Sequence, residues 1–211
     1  AAPLFAEAVL ALAAWSSAWR VLGLGALLTG LIFARWGGSG ATAGEAPNLR
    51  SIGALGRQPS YWLMILLFGL GISGSLGLYT MLPLFMVSGH GLERDFANML
   101  LALSRIPGVL AAFASGWLTD RFGPRRTMLG VLALNGLLTM ALGVVSTDGL
   151  TVLVFLQPAL AVCFFPAGFA AISRITPPGA RNIAVSMVTP FGFILGAGAT
   201  PALIGWASHL H

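Results

Sequence analysis

Long apolar runs with almost no charge inside them constrain this chain more than any other feature. Five of them, from about Tyr61 to Val87, Asp95 to Leu118, Thr127 to Ser146, Leu150 to Ser173 and Arg181 to Ala207, last 20 to 27 residues each. A helix needs about 20 residues to cross the hydrocarbon core of a bilayer. None of the runs alternates with period two, and all exceed the roughly 9–11 residues of a barrel strand, so each reads as a spanning helix. Composition points the same way. Hydrophobic residues make up 57% of the 211 and charged residues 8%, against roughly 25% charged in ordinary soluble domains. Too few charges remain to cover a water-exposed surface, so the expected solvent is lipid.

A shorter run from Arg20 to Trp36 supplies a sixth helix, and Ala1 to Ala14 is too short to span and reads as the end of a cut one. Trp15 and Trp19 lie between these two runs, where interfacial aromatics usually sit. Residues 37–60 are rich in Gly, Ala, Pro and Arg and read as a flexible linker. The expected organisation is therefore residues 1–36, then a linker over 37–60, then a bundle over 61–211.

Arginines fix the expected orientation. Arg35, Arg50, Arg57, Arg121, Arg125, Arg126, Arg174 and Arg181 fall in or beside alternate loops, whereas the opposite loops hold only Arg20 and Arg94. By the positive-inside rule the first group is cytoplasmic, which suits a bacterial inner (plasma) membrane. All 11 basic residues are arginines; without lysine there is no Schiff-base or phosphate-loop chemistry. The basic balance comes from a few loops and builds no soluble basic face, so no nucleic-acid partner is expected. The single Cys163 sits in an apolar run and reads as a packing residue.

The most charged stretch is Gly116-Trp117-Leu118-Thr119-Asp120-Arg121-Phe122-Gly123-Pro124-Arg125-Arg126. Its pattern, Gly-x-x-x-Asp-Arg-x-Gly followed by paired arginines between two spanning runs, resembles the cytoplasmic signature loop of the major facilitator superfamily. Pro124 departs from it, since the family usually has a basic residue there. Other stretches agree: the Trp19-Arg20 pair, Phe165-Pro166-Ala167 with Arg174 and Pro177-Pro178-x-x-Arg181, and Gly192-x-x-x-Gly196-x-Gly198-x-x-Pro201. They resemble the family's sixth, tenth and eleventh helices. The resemblance implies an all-α integral membrane bundle of about six full spanning helices plus one partial, running from the end of the fifth helix through the eleventh. It implies a monomer partnered by the bilayer, by the absent helices of its own chain and by a small solute carried by alternating access. Gly116, Asp120, Arg121, Gly123, Arg125 and Arg126, with Arg181 as a partner for Asp120, would form the cytoplasmic gate; the plainer reading is that these arginines only set topology and bind lipid head groups.

Candidate binding residues follow from polarity inside apolar runs. Arg105 lies roughly 15 Å from Asp95 and roughly 22 Å from Asp120 at 1.5 Å per residue, near the middle of its helix. A charge there costs about 2.5–3.5 kcal/mol to insert and usually faces a cavity or a partner. Its guanidinium is a rigid fork of donors suited to carboxylate, nitrate or phosphate, so Arg105 is the expected anion ligand; the plainer readings are an ion pair with a carboxylate on an absent helix, or a structural bond to backbone carbonyls opened by Pro107. Tyr79, Asn135 and Gln157 are the uncharged cavity candidates, although such a residue alone is more often an interhelical hydrogen bond. Glu7 is the one acid inside an apolar run, a proton-coupling carboxylate if buried and an interfacial one otherwise.

No nucleophile–base pair or carboxylate dyad suggests an enzyme, and no metal or cofactor is expected beyond a coupling ion, H+ or Na+. Gly69-Leu70-Gly71-Ile72-Ser73-Gly74 matches a dinucleotide fingerprint but lacks the preceding strand and following acid that motif requires. His209 and His211 resemble a metal pair by spacing alone. The expected function is transport of a small solute, an organic or inorganic anion favoured. The alternatives are a proton-driven exporter of drugs or cations, or a non-transporting scaffold or degenerate half.

Overall fold

A computed structural model describes residues 15–37, 49–177 and 180–208. Glu7, the first apolar run, His209 and His211 lie outside them. The chain divides into two compact units, Ala1–Glu45 and Ala46–His211. In the first, α1 (Trp15–Trp36) is apolar all round and carries Arg35 in its last turn. Every residue from Val21 to Trp36 is exposed, and the side chain of Thr29 bonds back to the Gly25 carbonyl at 2.7 Å.

The second unit is an all-helical bundle. Its first helix, α2 (Leu49–Gly56), falls inside the segment read from sequence as a flexible linker. Ile52 and Leu55 share one face of it, and Leu55 is buried in the core, which explains why the segment folds. Then come α3 (Pro59–Gly89), α4 (Arg94–Phe122), α5 (Pro124–Leu142), α6 (Thr147–Ile175) and α7 (Arg181–Ser208). Among the described residues, α3, α4, α6 and α7 are the helices long and apolar enough to cross a membrane. Leu110, Phe113, Leu137 and Val152 are exposed on the bundle's outside, where lipid rather than water is the suitable solvent.

Helix α6 is central: it packs on α4, α5 and α3, and α3 in turn packs on α7. The α3–α7 contact is unusually close because both faces are glycine. A β-carbon added at Gly196 would lie 2.5 Å from the Gly69 carbonyl oxygen and 2.6 Å from the Ser73 nitrogen, and one at Gly77 would strike the Gly196 carbonyl. Small residues are the usual means of bringing membrane helices together.

Three turns in these helices widen to π geometry: Ser73–Gly77 and Phe85–Gly89 in α3, and Ile194–Ala199 in α7. The last two flank Pro83 and Pro201, which cannot donate to the carbonyl four residues back. The first has no proline and sits in a glycine run. In α6 the helix is interrupted at Cys163, three residues before Pro166, and the Cys163 N–H bonds to Leu160 at 3.0 Å instead.

The buried apolar residues form two separate clusters. One holds Tyr61, Ile65, Phe68, Met128, Phe164, Ile172 and Val188; the other holds Leu82, Met86, Leu101, Leu142, Leu150 and Val154. Along α3, α5 and α6 a polar layer lies between them in sequence: Ser73 to Tyr79, then Asn135, then Gln157.

Candidate binding layer and signature turn

A widened helical turn frees carbonyls from their usual intrahelical donors. In the first π turn of α3 two backbone carbonyls accept from side chains of other helices. Gln157 of α6 is fully buried and donates its Nε2 to the Gly74 carbonyl at 3.0 Å. One residue on, Arg105 of α4 donates Nη2 to the Ser75 carbonyl at 3.2 Å. The same Gln157 nitrogen also donates to Asn135 Oδ1 at 3.1 Å. Tyr79 completes the set: its ring lies 3.6 Å beneath the Arg105 guanidinium carbon, a cation–π stack, and its hydroxyl donates to the Leu101 carbonyl at 2.8 Å. Thus all four residues singled out as cavity candidates converge on one turn.

They do not play equal parts. Asn135 is 7% exposed and Gln157 0%, so both face the protein interior and clamp the turn. Arg105 and Tyr79 are half-buried. Among the described residues the acids are Glu93, Asp95, Asp120 and Asp148, all exposed and all at helix ends. None is placed to neutralise a mid-helix arginine. Of the five N–H donors of a guanidinium, one is committed to Ser75, leaving a donor-rich edge in a low-dielectric layer. Gln157 Oε1 is buried without a partner; a neighbouring donor would complete it. Next to this layer the Thr200 hydroxyl of α7 donates to Ser73 Oγ of α3 at 2.8 Å, joining the two helices that carry facing π turns.

The Gly74 and Ser75 carbonyls were not legible in the sequence, because every residue carries a backbone acceptor and no side chain marks which one a distant donor reaches. The glycine run Gly69 to Gly77 was the available signal. Its glycines serve packing: Gly71 lies against the Phe164 ring, Gly69 against Leu195 and Gly74 against the Asn135 amide.

The signature stretch is far from this layer. Its turn is a single residue, Gly123, at φ 83 and ψ 152, between the end of α4 and the start of α5. That backbone region is open to glycine and costs other residues about 1–3 kcal/mol. Pro124 stands at the first position of α5, where its missing N–H is no loss and its fixed φ suits the helix start. The turn is closed by the Gly123 N–H on Thr119 at 3.0 Å, and by the backbone and hydroxyl of Thr127 on the Gly123 carbonyl at 3.2 and 3.1 Å. Asp120, Arg121, Arg125, Arg126 and Arg181 are all exposed, and Arg121 lies over Trp117 at 5.3 Å. Gly116 has nothing within 4 Å of an added β-carbon, so packing gives no reason for glycine there.

With this geometry in hand, likeness to known proteins is informative. The family model for the Major Facilitator Superfamily matches residues 90–210, more than half of the chain. The Probable nitrate/nitrite transporter NarK2 of Mycobacterium tuberculosis (strain CDC 1551 / Oshkosh) is 32% identical over 95 residues, 45% of this chain and 24% of the relative. The strain H37Rv protein of the same name matches equally well. An Uncharacterized MFS-type transporter, YqjV of Bacillus subtilis (strain 168), is 26% identical over 125 residues, 54% of this chain and 30% of the relative. No solved structure gives a match. The chain spans under a third of the length of these curated relatives. Signature turn, apolar helices and family match agree: this is an integral membrane protein and belongs to the Major Facilitator Superfamily.

Proposed function

We propose that the protein is part of a secondary active transporter that moves a small anion by alternating access, with Arg105 as the anion-binding group. The observation that carries this reading is the state of Arg105. It is half-buried at mid-helix, stacked on Tyr79, tied to the protein by one backbone carbonyl, and has no carboxylate beside it among the described residues. A permanent charge in such a layer costs several kcal/mol unless a counter-charge arrives, and a small oxyanion is the counter-charge that matches the donor fork. The stack on Tyr79 holds the guanidinium plane fixed, leaving its edge free for a planar carboxylate- or nitrate-like group. The name of the similar mycobacterial protein, a probable nitrate/nitrite transporter, agrees with a small inorganic oxyanion.

On this reading the arginine-bearing loops, including the signature turn, face the cytoplasm in a bacterial plasma membrane. Asp120 and its neighbouring arginines, with Arg181, act as the gate at that face. The visible intramembrane charge is positive, which disfavours a cation or cationic drug as cargo.

The test is uptake of labelled nitrate, nitrite and small carboxylates into proteoliposomes, with and without a proton gradient. A charge-assisted hydrogen bond is worth about 1.5–3 kcal/mol, so Arg105→Ala should weaken apparent anion affinity by about 10- to 100-fold. Arg105→Lys should fall between, keeping the charge and losing the fork. If both variants transport every anion tested as the parent does, the reading fails.

A further inference from the structure

Beside the signature turn, remote from the polar layer, lies a cavity of about 750 Å3. That is within the roughly 300–1,000 Å3 of ordinary small-molecule sites. Its walls are apolar, built from Leu63 and Leu67 of α3 and Leu129 and Leu132 of α5. One end is strongly cationic: Arg125, Arg126 and Arg174 line it together with the first turn of α5. That first turn contains no acid, so the partial positive charge of the helix start adds to the three arginines. Among the described residues, no acid lines the cavity.

We propose that this cavity binds one anionic phospholipid, its phosphate held by Arg125, Arg126 and Arg174 and an acyl chain lying along Leu63, Leu67, Leu129 and Leu132. The two halves of the site call for a two-part ligand. A free phosphate satisfies the arginines but leaves the leucine walls wet. A zwitterionic lipid covers the walls but brings a cationic group to a site that already holds three guanidinium charges. An anionic phospholipid does both, and arginine pairs with phosphate through two parallel hydrogen bonds. The arginine end also lies on the face that the positive-inside rule assigns to the cytoplasmic leaflet, the leaflet rich in anionic lipid. The site is independent of Arg105 and of what the protein carries.

The test places the purified protein in nanodiscs of equal phosphatidylcholine and phosphatidylglycerol, transfers it to mild detergent, and counts retained lipids by native mass spectrometry. The expected result is one phosphatidylglycerol retained with at least tenfold preference over phosphatidylcholine. Arg125→Gln with Arg174→Gln should abolish that preference. Leu132→Trp keeps every arginine and fills the cavity, and should lower phosphatidylglycerol retention at least fivefold with helix content unchanged. Inorganic phosphate and glycerol phosphate at millimolar concentration should not displace the lipid. Equal retention of the two lipids overturns the proposal. So does displacement by inorganic phosphate, which would mark a site for phosphate alone, or full retention in Leu132→Trp, which would mean that another element covers this groove.

Discussion

Arg105 and Gln157 approach adjacent carbonyls of one helical turn from two different helices, and burial separates their roles. Gln157 has no route to solvent and spends its one nitrogen on Gly74 and Asn135, so it sets the shape of the turn that presents Ser75 to Arg105. Interhelical hydrogen bonds in membranes average about 0.6 kcal/mol and reach about 1.7. Gln157→Leu removes two donated hydrogen bonds but also removes the partnerless Oε1, so the expected cost is about 1 kcal/mol. Gln157→Glu removes the donor and brings a carboxylate beside a carbonyl, and should cost at least about 2 kcal/mol. Unfolding in mixed micelles reads both, and equal stability of parent and Glu variant would refute the clamp. At this scale the sequence was informative where side chains were concerned. Arg105, Tyr79, Asn135 and Gln157 stood out because each is polar inside an apolar run. What brings them together, two adjacent backbone carbonyls in a proline-free π turn, has no side-chain signature.

Helices α4 and α5 are legible from their charge breaks, and their junction shows which part of a motif is physics. Gly116 and Gly123 belong to the same pattern in the sequence, yet only Gly123 has a backbone that glycine alone accepts comfortably, at φ 83. Gly123→Ala should therefore destabilise the protein by about 1–3 kcal/mol, although its β-carbon would meet no atom within 4 Å. Gly116 lies inside α4 with equally open surroundings. Gly116→Ala should be neutral or stabilise by up to about 1 kcal/mol through helix propensity. Thermal unfolding of the two variants side by side separates the effects, and a larger loss in Gly116→Ala would contradict this account. The reverse case is α2, hidden from a composition-based reading because glycines and arginines surround its short apolar face of Ile52 and Leu55. The π turns Phe85–Gly89 in α3 and Ile194–Ala199 in α7 were foreshadowed only by Pro83 and Pro201, and the interruption in α6 by Pro166.

Two apolar clusters with a polar layer between them make the bundle uneven along its length, with the signature turn and its arginines beyond one cluster and the α3–α4 and α5–α6 connections beyond the other. The order of the long helices was readable from run length, because only a helix or a closed barrel satisfies its backbone in lipid and these runs are too long for barrel strands; the short α2 was not. The pairing of α6 with α4, α5 and α3 was not, since apolar faces carry no address when the solvent is equally apolar. The arginine distribution makes one further claim about the whole molecule, its direction across the membrane. Ser146, just before α6, and Pro177, just after it, are both exposed and stand at opposite ends of that helix. Arg174 and Arg181 flank Pro177, whereas Asp148 is the charge nearest Ser146. In a Cys163→Ala background, Ser146→Cys should react with a membrane-impermeant maleimide on intact cells, and Pro177→Cys only after permeabilisation. Cys163 is buried, so its removal eliminates a slow background rather than a surface label. Labelling of both cysteines from the same side would break the helix count between them. Labelling of Pro177→Cys alone from outside would invert the topology, and with it the leaflet in which the Arg125, Arg126 and Arg174 cavity lies.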